Sequence, residues 1–300
     1  MPAGRFAPSP TGALHLGSLR TALLAWLFAR SADARFLLRM EDLDPVTSSP
    51  EHEAGQRADL AAIGLDWDGA VVRQSERRRT HEAALALLAA RGLTYPCFCS
   101  RREIREAASA PHATPGAYPG TCRNLSDAQV EERVANGRPA ALRLRGDGRA
   151  VSIVDRLHGE VMGRADDIVL RRNDGTPAYH LAVVVDDDDQ GVTEVVRGDD
   201  LLEATPSQAH LLDLLGRRRP VWAHVPLVLG PDGRRLAKRH GAVTLGELAA
   251  EGLDAAAVRS LLAASLDLAA PGETVTMADL LARFDPGSLP TAPWTVPAVA

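Results

Sequence analysis

Apolar positions recur at helical spacing soon after the chain begins. Leu19, Ala22, Leu23, Trp26 and Leu27 share one stripe, which predicts a helix opening after His15-Leu16-Gly17-Ser18. Ahead of it, Arg5-Phe6-Ala7 reads as a short extended segment stopped by Pro8-Ser9-Pro10-Thr11-Gly12. Behind it, Arg35–Met40 reads as a buried strand running into Glu41-Asp42-Leu43-Asp44-Pro45. A strand–loop–helix–strand unit with polar groups at strand ends predicts an open α/β sheet with ligands at the carboxyl edge.

Residues 51–64 and 80–91 carry the pattern of amphipathic helices. Leu142–Leu144, Val151–Val154 and Ile168–Arg171 read as short strands separated by Gly and Asp. Ala178–Val185 (AYHLAVVV) predicts a strongly buried strand, Thr193–Val196 another, 207–215 a helix and Val221–Leu229 a further strand. The last stretch reads as short helices with Gly and Pro breaks. Between 109 and 122 the chain is rich in Pro, Gly and Ala with no hydrophobic period, so something other than a core must hold it. Four segments follow: 1–95 and 166–241 as halves of one α/β core, 96–165 as an insertion, and 242–300 as a short helical tail.

Composition narrows the class. At 300 residues with 45% hydrophobic and 24% charged residues, the chain is neither disordered nor collagen-like and has room for about two domains. No apolar run approaches the ~18 residues that would span a membrane. Ala22–Ala29 lacks the basic start of a secretion signal, so a cytoplasmic protein that avoids membranes is expected. Three cysteines crowded between 97 and 122 suit a metal better than a disulfide framework.

The net charge of −5 conceals local blocks. Eight arginines face three glutamates across 71–105, and six arginines with one lysine face Asp232 across 217–239. Six aspartates and one glutamate face Arg197 across 186–200. Such blocks can hold a polyanion locally or form solvated arginine-rich faces. Lys238 is the single lysine among 34 basic residues, a compact point charge where the chain otherwise uses planar forks.

Gly12-Ala-Leu-His-Leu-Gly17-Ser18 has the glycine spacing of a phosphate loop without the lysine that loop requires. A helix start still offers backbone donors to an anion, and His15 can donate to a phosphate oxygen. Gly230-Pro-Asp-Gly233 then leads into Arg234-Arg235-Leu236-Ala237-Lys238-Arg239-His240-Gly241, a cationic loop between glycines suited to closing over a triphosphate. FAPSPTGALHLGS resembles the HIGH motif of class I aminoacyl-tRNA synthetases, with Gly17-Ser18 in place of the final Gly-His. RRLAKR resembles their KMSKS motif, with Arg235 and Arg239 at its outer positions.

RFAPSPTG, RMEDLDP, VVVDD, VVRGDDLL and LVLGPDGRRLAKRHGA together resemble the glutamyl-tRNA synthetase catalytic core across 5–241. The resemblance implies a Rossmann-like nucleotide-binding core. It places ATP, with Mg²⁺, at Pro8, His15, Gly17, Ser18 and Lys238, with His15 and Lys238 catalytic. It places L-glutamate at Arg5, Ser9, Glu41, Tyr179 and Arg197. Arginine forks suit the two carboxylates of glutamate, and Glu41 its ammonium; internal salt bridges, for instance of Arg197 with Asp199 or Asp200, are the alternative use of these charges.

Cys97, Cys99 and Cys122 leave a structural zinc one ligand short. His112 and Tyr118 are both within reach in sequence, and the Y-x-x-x-C spacing of Tyr118 and Cys122 is similar to one family branch. That branch is glutamyl-queuosine tRNA(Asp) synthetase, which the short stretch after Gly241 also resembles, since no anticodon-binding domain of ordinary size fits there. It implies an enzyme activating glutamate without tRNA, then esterifying the cyclopentene-diol of queuosine at the wobble position of tRNA(Asp); a monomer is expected. A synthetase core charging a tRNA 3′ end and an inactive tRNA-binding paralogue are the other readings. Phosphate contacts are expected from Arg77, Arg78, Arg79, Arg101 and Arg102.

Overall fold

The computed structural model describes residues 1–100, 102–104, 118–236 and 243–296. The chain begins as predicted: β1 (Ala3–Phe6), α1 (Leu16–Ser31) and β2 (Arg35–Met40), with β1 and β2 paired in parallel. α2 (Pro50–Ala62) starts on a Ser49 cap with Pro50 in its first turn, and leads to β3 (Val72–Arg73), which extends the sheet beside β2. α1 lies so close to β1 that a Cβ at Gly4 would sit 3.1 Å from Ala29 Cβ. The helix is apolar well beyond its predicted stripe and buries Leu16, Leu24 and Phe28 as well.

After α3 (Arg78–Ala90), the chain forms a small antiparallel sheet from β4 (Thr94–Cys97), β5 (Ala141–Leu144) and, further on, β8 (Val169–Arg171), with α4 (Asp127–Ala135) beside it. Its own core is small: Tyr95, Cys97, Phe98, Tyr118 and Cys122. A second sheet has the order β7–β6–β10–β9, made of β6 (Ala150–Asp155), β7 (Gly159–Arg164), β9 (Glu194–Gly198) and β10 (Val221–Val225). β6, β10 and β9 run parallel. β9 abuts β1, where the Thr193 N–H donates to the Ala3 carbonyl at 2.8 Å. The chain leaves β1 for β2 on one side and returns to β9 on the other, the strand reversal at which open α/β sheets bind ligands.

One predicted element is of the wrong type. Ala178–Val185 is not a strand: Tyr179–Asp189 forms a helix, α5. Leu181 through Asp187 are all buried, so the polar face that reveals a helix by its period is missing, and three consecutive valines favour strand. Packing overrides that propensity. Val221–Leu229 is two strands, β10 and β11 (Val228–Leu229), separated at Pro226-Leu227.

α3, α5 and α6 (Thr205–Leu215) contribute Leu88, Val183, Val185 and Leu211 to the apolar cluster on one side. α1 shares the other with α7 (Leu245–Ala250), α8 (Ala255–Ala264) and α9 (Met277–Arg283), through Leu248, Leu262 and Leu280. Arg20 of α1, 1% exposed, fastens this side: it donates to the Pro226 carbonyl at 3.0 Å, the Ser265 hydroxyl at 3.0 Å and the Ser265 carbonyl at 3.2 Å. Burial without a carboxylate lowers its pKa to about 10. Arg20→Met keeps the stem but strands two buried carbonyls, so it is expected to cost about 3 kcal/mol in urea unfolding. An unchanged midpoint would show that Arg20 does not fasten the 243–296 segment.

Candidate functional site

A cleft of about 650 Å³ opens where β1 and β9 meet. Arg5, Ser9, Glu41, Tyr179 and Arg197 all line it, as do Pro8, His15, Gly17 and Ser18. The structure thus brings together, from four separate stretches of chain, every described residue that the sequence assigned to glutamate and ATP. Lys238 lies outside the described residues. The Pro8–Gly12 loop is held in place by buried Gln56 of α2, whose amide donates to the Ser9 carbonyl at 2.9 Å and the Gly12 carbonyl at 2.8 Å. The Glu41 N–H donates to the Pro8 carbonyl at 2.9 Å, which fixes the end of β2 against the same loop.

Charge at the floor of the cleft is organised by Asp187 of α5. Its carboxylate accepts from Arg5 Nε at 3.2 Å and from Arg39 Nη1 at 2.7 Å, and Arg39 Nη2 donates to Glu41 at 3.3 Å. Burial would raise the Asp187 carboxyl, but Arg5 and Arg39 hold it below the ordinary range. For Glu41 burial outweighs Arg39 and Arg5, and its pKa is raised; an ammonium arriving there restores the charged form.

Arg197 is different. It is 6% exposed and, among the described residues, makes no ion pair. Its three donors reach His224 Nε2 at 3.1 Å, the Tyr179 hydroxyl at 3.4 Å and the Thr205 hydroxyl at 2.8 Å, all uncharged acceptors. Asp199 and Asp200, the partners of the alternative salt-bridge reading, are not among them. Burial lowers the Arg197 pKa, the signature of a cation lacking its counter-ion. Behind it, His224 Nδ1 and Asp155 Oδ2 are 2.6 Å apart. Burial lowers the His224 pKa against the pull of Asp155, so a neutral imidazole donates to Asp155 and offers Nε2 to Arg197. Neighbouring strands supply the two residues in register, His224 opposite Arg197.

At the other end of the cleft His15 caps α1, its Nδ1 accepting from the Ser18 N–H at 3.1 Å. That leaves Nε2 as the ring donor, 3.3 Å from the Ser18 hydroxyl. Burial, then Arg235, lowers the His15 pKa, so the ring stays neutral. A Cβ on Gly17 would lie 3.0 Å from the His15 ring, so a side chain there would displace it. Arg235, aligned with the outer lysine of the KMSKS pattern, pairs with Asp200 at 2.6 Å.

In the insertion, the sulfurs of Cys97, Cys99 and Cys122 all lie within 4.8 Å of one another, a cluster that could bind a metal. The Tyr118 hydroxyl is 3.3 Å from Cys97 Sγ and 3.4 Å from Cys99 Sγ, and Cys99 and Cys122 sulfurs are 3.5 Å apart. Ligands ~2.0–2.3 Å from a shared tetrahedral ion are separated by roughly 3.5–3.8 Å, and the Cys99–Cys122 pair and the Tyr118 oxygen lie near that spacing. Burial and thiol neighbours push the Cys99 thiol up to about 11, and burial first raises the Tyr118 hydroxyl. His112 lies outside the described residues.

The residues that sequence reasoning missed are the positioning groups. Asp186 accepts from Gln74 at 3.0 Å, His81 at 2.9 Å and Arg77 at 2.5 Å. Arg77 also reaches Asp189, and Arg217 reaches Asp188 and Asp189. The acidic run therefore absorbs part of both basic blocks. Arg78 and Arg79 are both exposed, and Arg78 pairs with Glu82. Arg101 lies outside the described residues. Among the described residues, no helix is long and apolar enough to cross a membrane.

Comparison with known proteins agrees with this geometry. Residues 3–295 match the family of class I tRNA synthetases (E and Q), catalytic domain. A glutamyl-Q tRNA(Asp) synthetase of Nocardia farcinica is 61% identical over 292 residues, covering 97% of this chain and 92% of that protein. A glutamate–tRNA ligase of Halorhodospira halophila is 43% identical over 303 residues, covering 96% of this chain and 64% of the ligase. A crystal structure of a glutamate tRNA ligase from Elizabethkingia meningosepticum, in complex with its amino acid, superposes with a TM-score of 0.84 at 28% identity, over 99% of this chain and 67% of that one. The chain belongs to the class I tRNA synthetase (E and Q) catalytic-domain family, in its glutamyl-Q tRNA(Asp) synthetase branch.

Proposed function

We propose that this chain activates L-glutamate with ATP, without requiring tRNA, and transfers it to the cyclopentene-diol of queuosine at the wobble position of tRNA(Asp). The observation that carries the reading is buried Arg197, a cation that pairs with no acid among the described residues, facing a cleft that Glu41 also lines. Arg5 and Arg197 bind carboxylate, Tyr179 and Ser9 accept or donate beside them, and Glu41 takes the ammonium. Agreement with relatives of that name over nearly the whole chain supports the acceptor. The setting is cytoplasmic, and the chain acts as a monomer.

In the first step an α-carboxylate oxygen of glutamate attacks the α-phosphorus of ATP, and pyrophosphate leaves with the bonding pair. His15, a neutral donor at the start of α1, and the point charge of Lys238 offset charge on the phosphates. Pro8, Gly17 and Ser18 give the nucleotide close access to the backbone. Mg²⁺ supplies further charge neutralisation when bound with ATP. In the second step a diol oxygen attacks the glutamyl carbonyl carbon and the bond to the AMP oxygen breaks. The hydroxyl proton passes to the departing AMP phosphate. Zinc, which Cys97, Cys99, Cys122 and Tyr118 would hold, would organise the small sheet of β4 and β5 and its flanking loop without joining either step.

Glutamate-dependent ATP–pyrophosphate exchange is expected without tRNA, followed by transfer to queuosine-containing tRNA(Asp) and none to an unmodified transcript. Charging of a tRNA 3′ end instead would establish an ordinary synthetase core, and absence of exchange an inactive paralogue. Because His15 is already neutral, the exchange rate should stay level as pH falls from 8 to about 6.5, the ordinary imidazole value. A decline that begins above that value would mean His15 titrates normally. Purified protein should contain about one zinc per chain. Cys99→Ser and Tyr118→Phe should each reduce it, whereas full zinc content in Tyr118→Phe would shift the fourth position to His112.

A further inference from the structure

Beside the first cleft lies a second chamber of about 840 Å³, walled by the Cys97–Ser100 segment and the start of α5. Ser9, Glu41 and Tyr179 line both. The remaining linings separate cleanly. His15, Gly17, Ser18 and Arg235 belong to the first only, while Asp44, Arg143, Arg172 and Asn173 belong to the second only. Glutamate held at Glu41 and Tyr179 therefore sits at a junction. A nucleotide extending toward the start of α1 would leave the second chamber open on the other side of that junction.

We propose that this second chamber is the acceptor-nucleoside site, and that Asp44 binds the secondary ammonium joining the cyclopentene-diol to the base. The assignment rests on the transfer reaction proposed above. Queuosine's side-chain amine is protonated at neutral pH and requires a carboxylate once it leaves water. Three acids line the chamber. Glu41 is already engaged by Arg39 and committed to glutamate. Asp166 is occupied by the N–H groups of Tyr118 and Asp167. Asp44 accepts from the Val46 N–H through Oδ1 at 3.1 Å, and its Oδ2 stands 4.0 Å from half-exposed Arg172, beyond hydrogen-bond distance. One carboxylate oxygen is thus available at the chamber wall.

The rest of the lining suits a guanine-like base. Ile168 and Pro177 offer an apolar surface for a flat ring, and the exposed Asn173 amide both donates and accepts. Arg143 adds an independent sign of a ligand. It is 7% exposed, stacks 3.7 Å above the Tyr118 ring and, although buried, leaves its Nε without a hydrogen-bond partner. An acceptor carbonyl such as that of the base would satisfy it.

Two variants test the assignment by separating the half-reactions. Val169→Trp fills the chamber from β8, and Asp44→Asn removes its available charge while keeping the shape. Both are expected to retain tRNA-independent pyrophosphate exchange. Val169→Trp should abolish transfer to queuosine-containing tRNA(Asp), and Asp44→Asn should raise the KM for that tRNA roughly tenfold, the weight of one ionic contact. Wild-type transfer by both variants, with exchange intact, would overturn the chamber assignment alone. Transfer lost in Val169→Trp but wild-type KM in Asp44→Asn would overturn the role of Asp44. No exchange by the unaltered chain would remove the reaction, and this assignment with it.

Discussion

Three buried arginines around two carboxylates leave the floor of the cleft one positive charge in excess. Arg5 and Arg39 share Asp187, Arg39 also serves Glu41, and Arg197 is left with a histidine, a tyrosine and a threonine. Glutamate, with two carboxylates and one ammonium, carries the complementary charge. Holding an unmatched guanidinium out of water is costly, and the fold accepts that cost where a ligand can relieve it. Glutamine, neutral overall, could not balance the site in the same way.

That imbalance needs a rigid setting, and α5 supplies much of it. Asp187 turns toward Arg5 and Arg39, while the adjacent Asp186 turns toward Gln74, Arg77 and His81. Consecutive aspartates on one buried helix therefore join β1 and β2 to the start of α3. Asp155 and His224 do the same for Arg197 from the neighbouring strands, so Arg5 and Arg197 each have an anchored acceptor behind them. Gln56 and the Glu41 backbone then lock the Pro8–Gly12 loop over the same floor. Positioning of this kind would let one cleft hold two unlike substrates at its two ends.

Much of this was legible in the sequence. The first strand–helix–strand unit, the polar ends of β1 and β9 and the resemblance in RFAPSPTG and VVRGDDLL marked Arg5, Glu41 and Arg197, and the structure gathers them in one cleft. The cysteine spacing likewise marked three sulfurs that meet. What was not legible was long-range pairing. Asp187 serves Arg5 from 182 residues away and Arg39 from 148, and no local pattern records such a partnership. AYHLAVVV misled because a helix buried on every side loses its polar face. The basic block at 71–105 suggested free cations, yet Arg77 is consumed by the acidic run that lay unassigned in the same sequence.

The central claim is that Arg197 is an unmatched cation kept for a substrate carboxylate. Titration calorimetry with L-glutamate and L-glutamine, on the unaltered chain and on Arg197→Met, tests it directly. The account predicts that glutamate binds and glutamine does not. It predicts that Arg197→Met weakens glutamate by roughly 2–4 kcal/mol, about 30- to 1000-fold in Kd, while leaving the chain folded. Equal affinity for the two amino acids, or a variant that binds glutamate as the unaltered chain does, would contradict it.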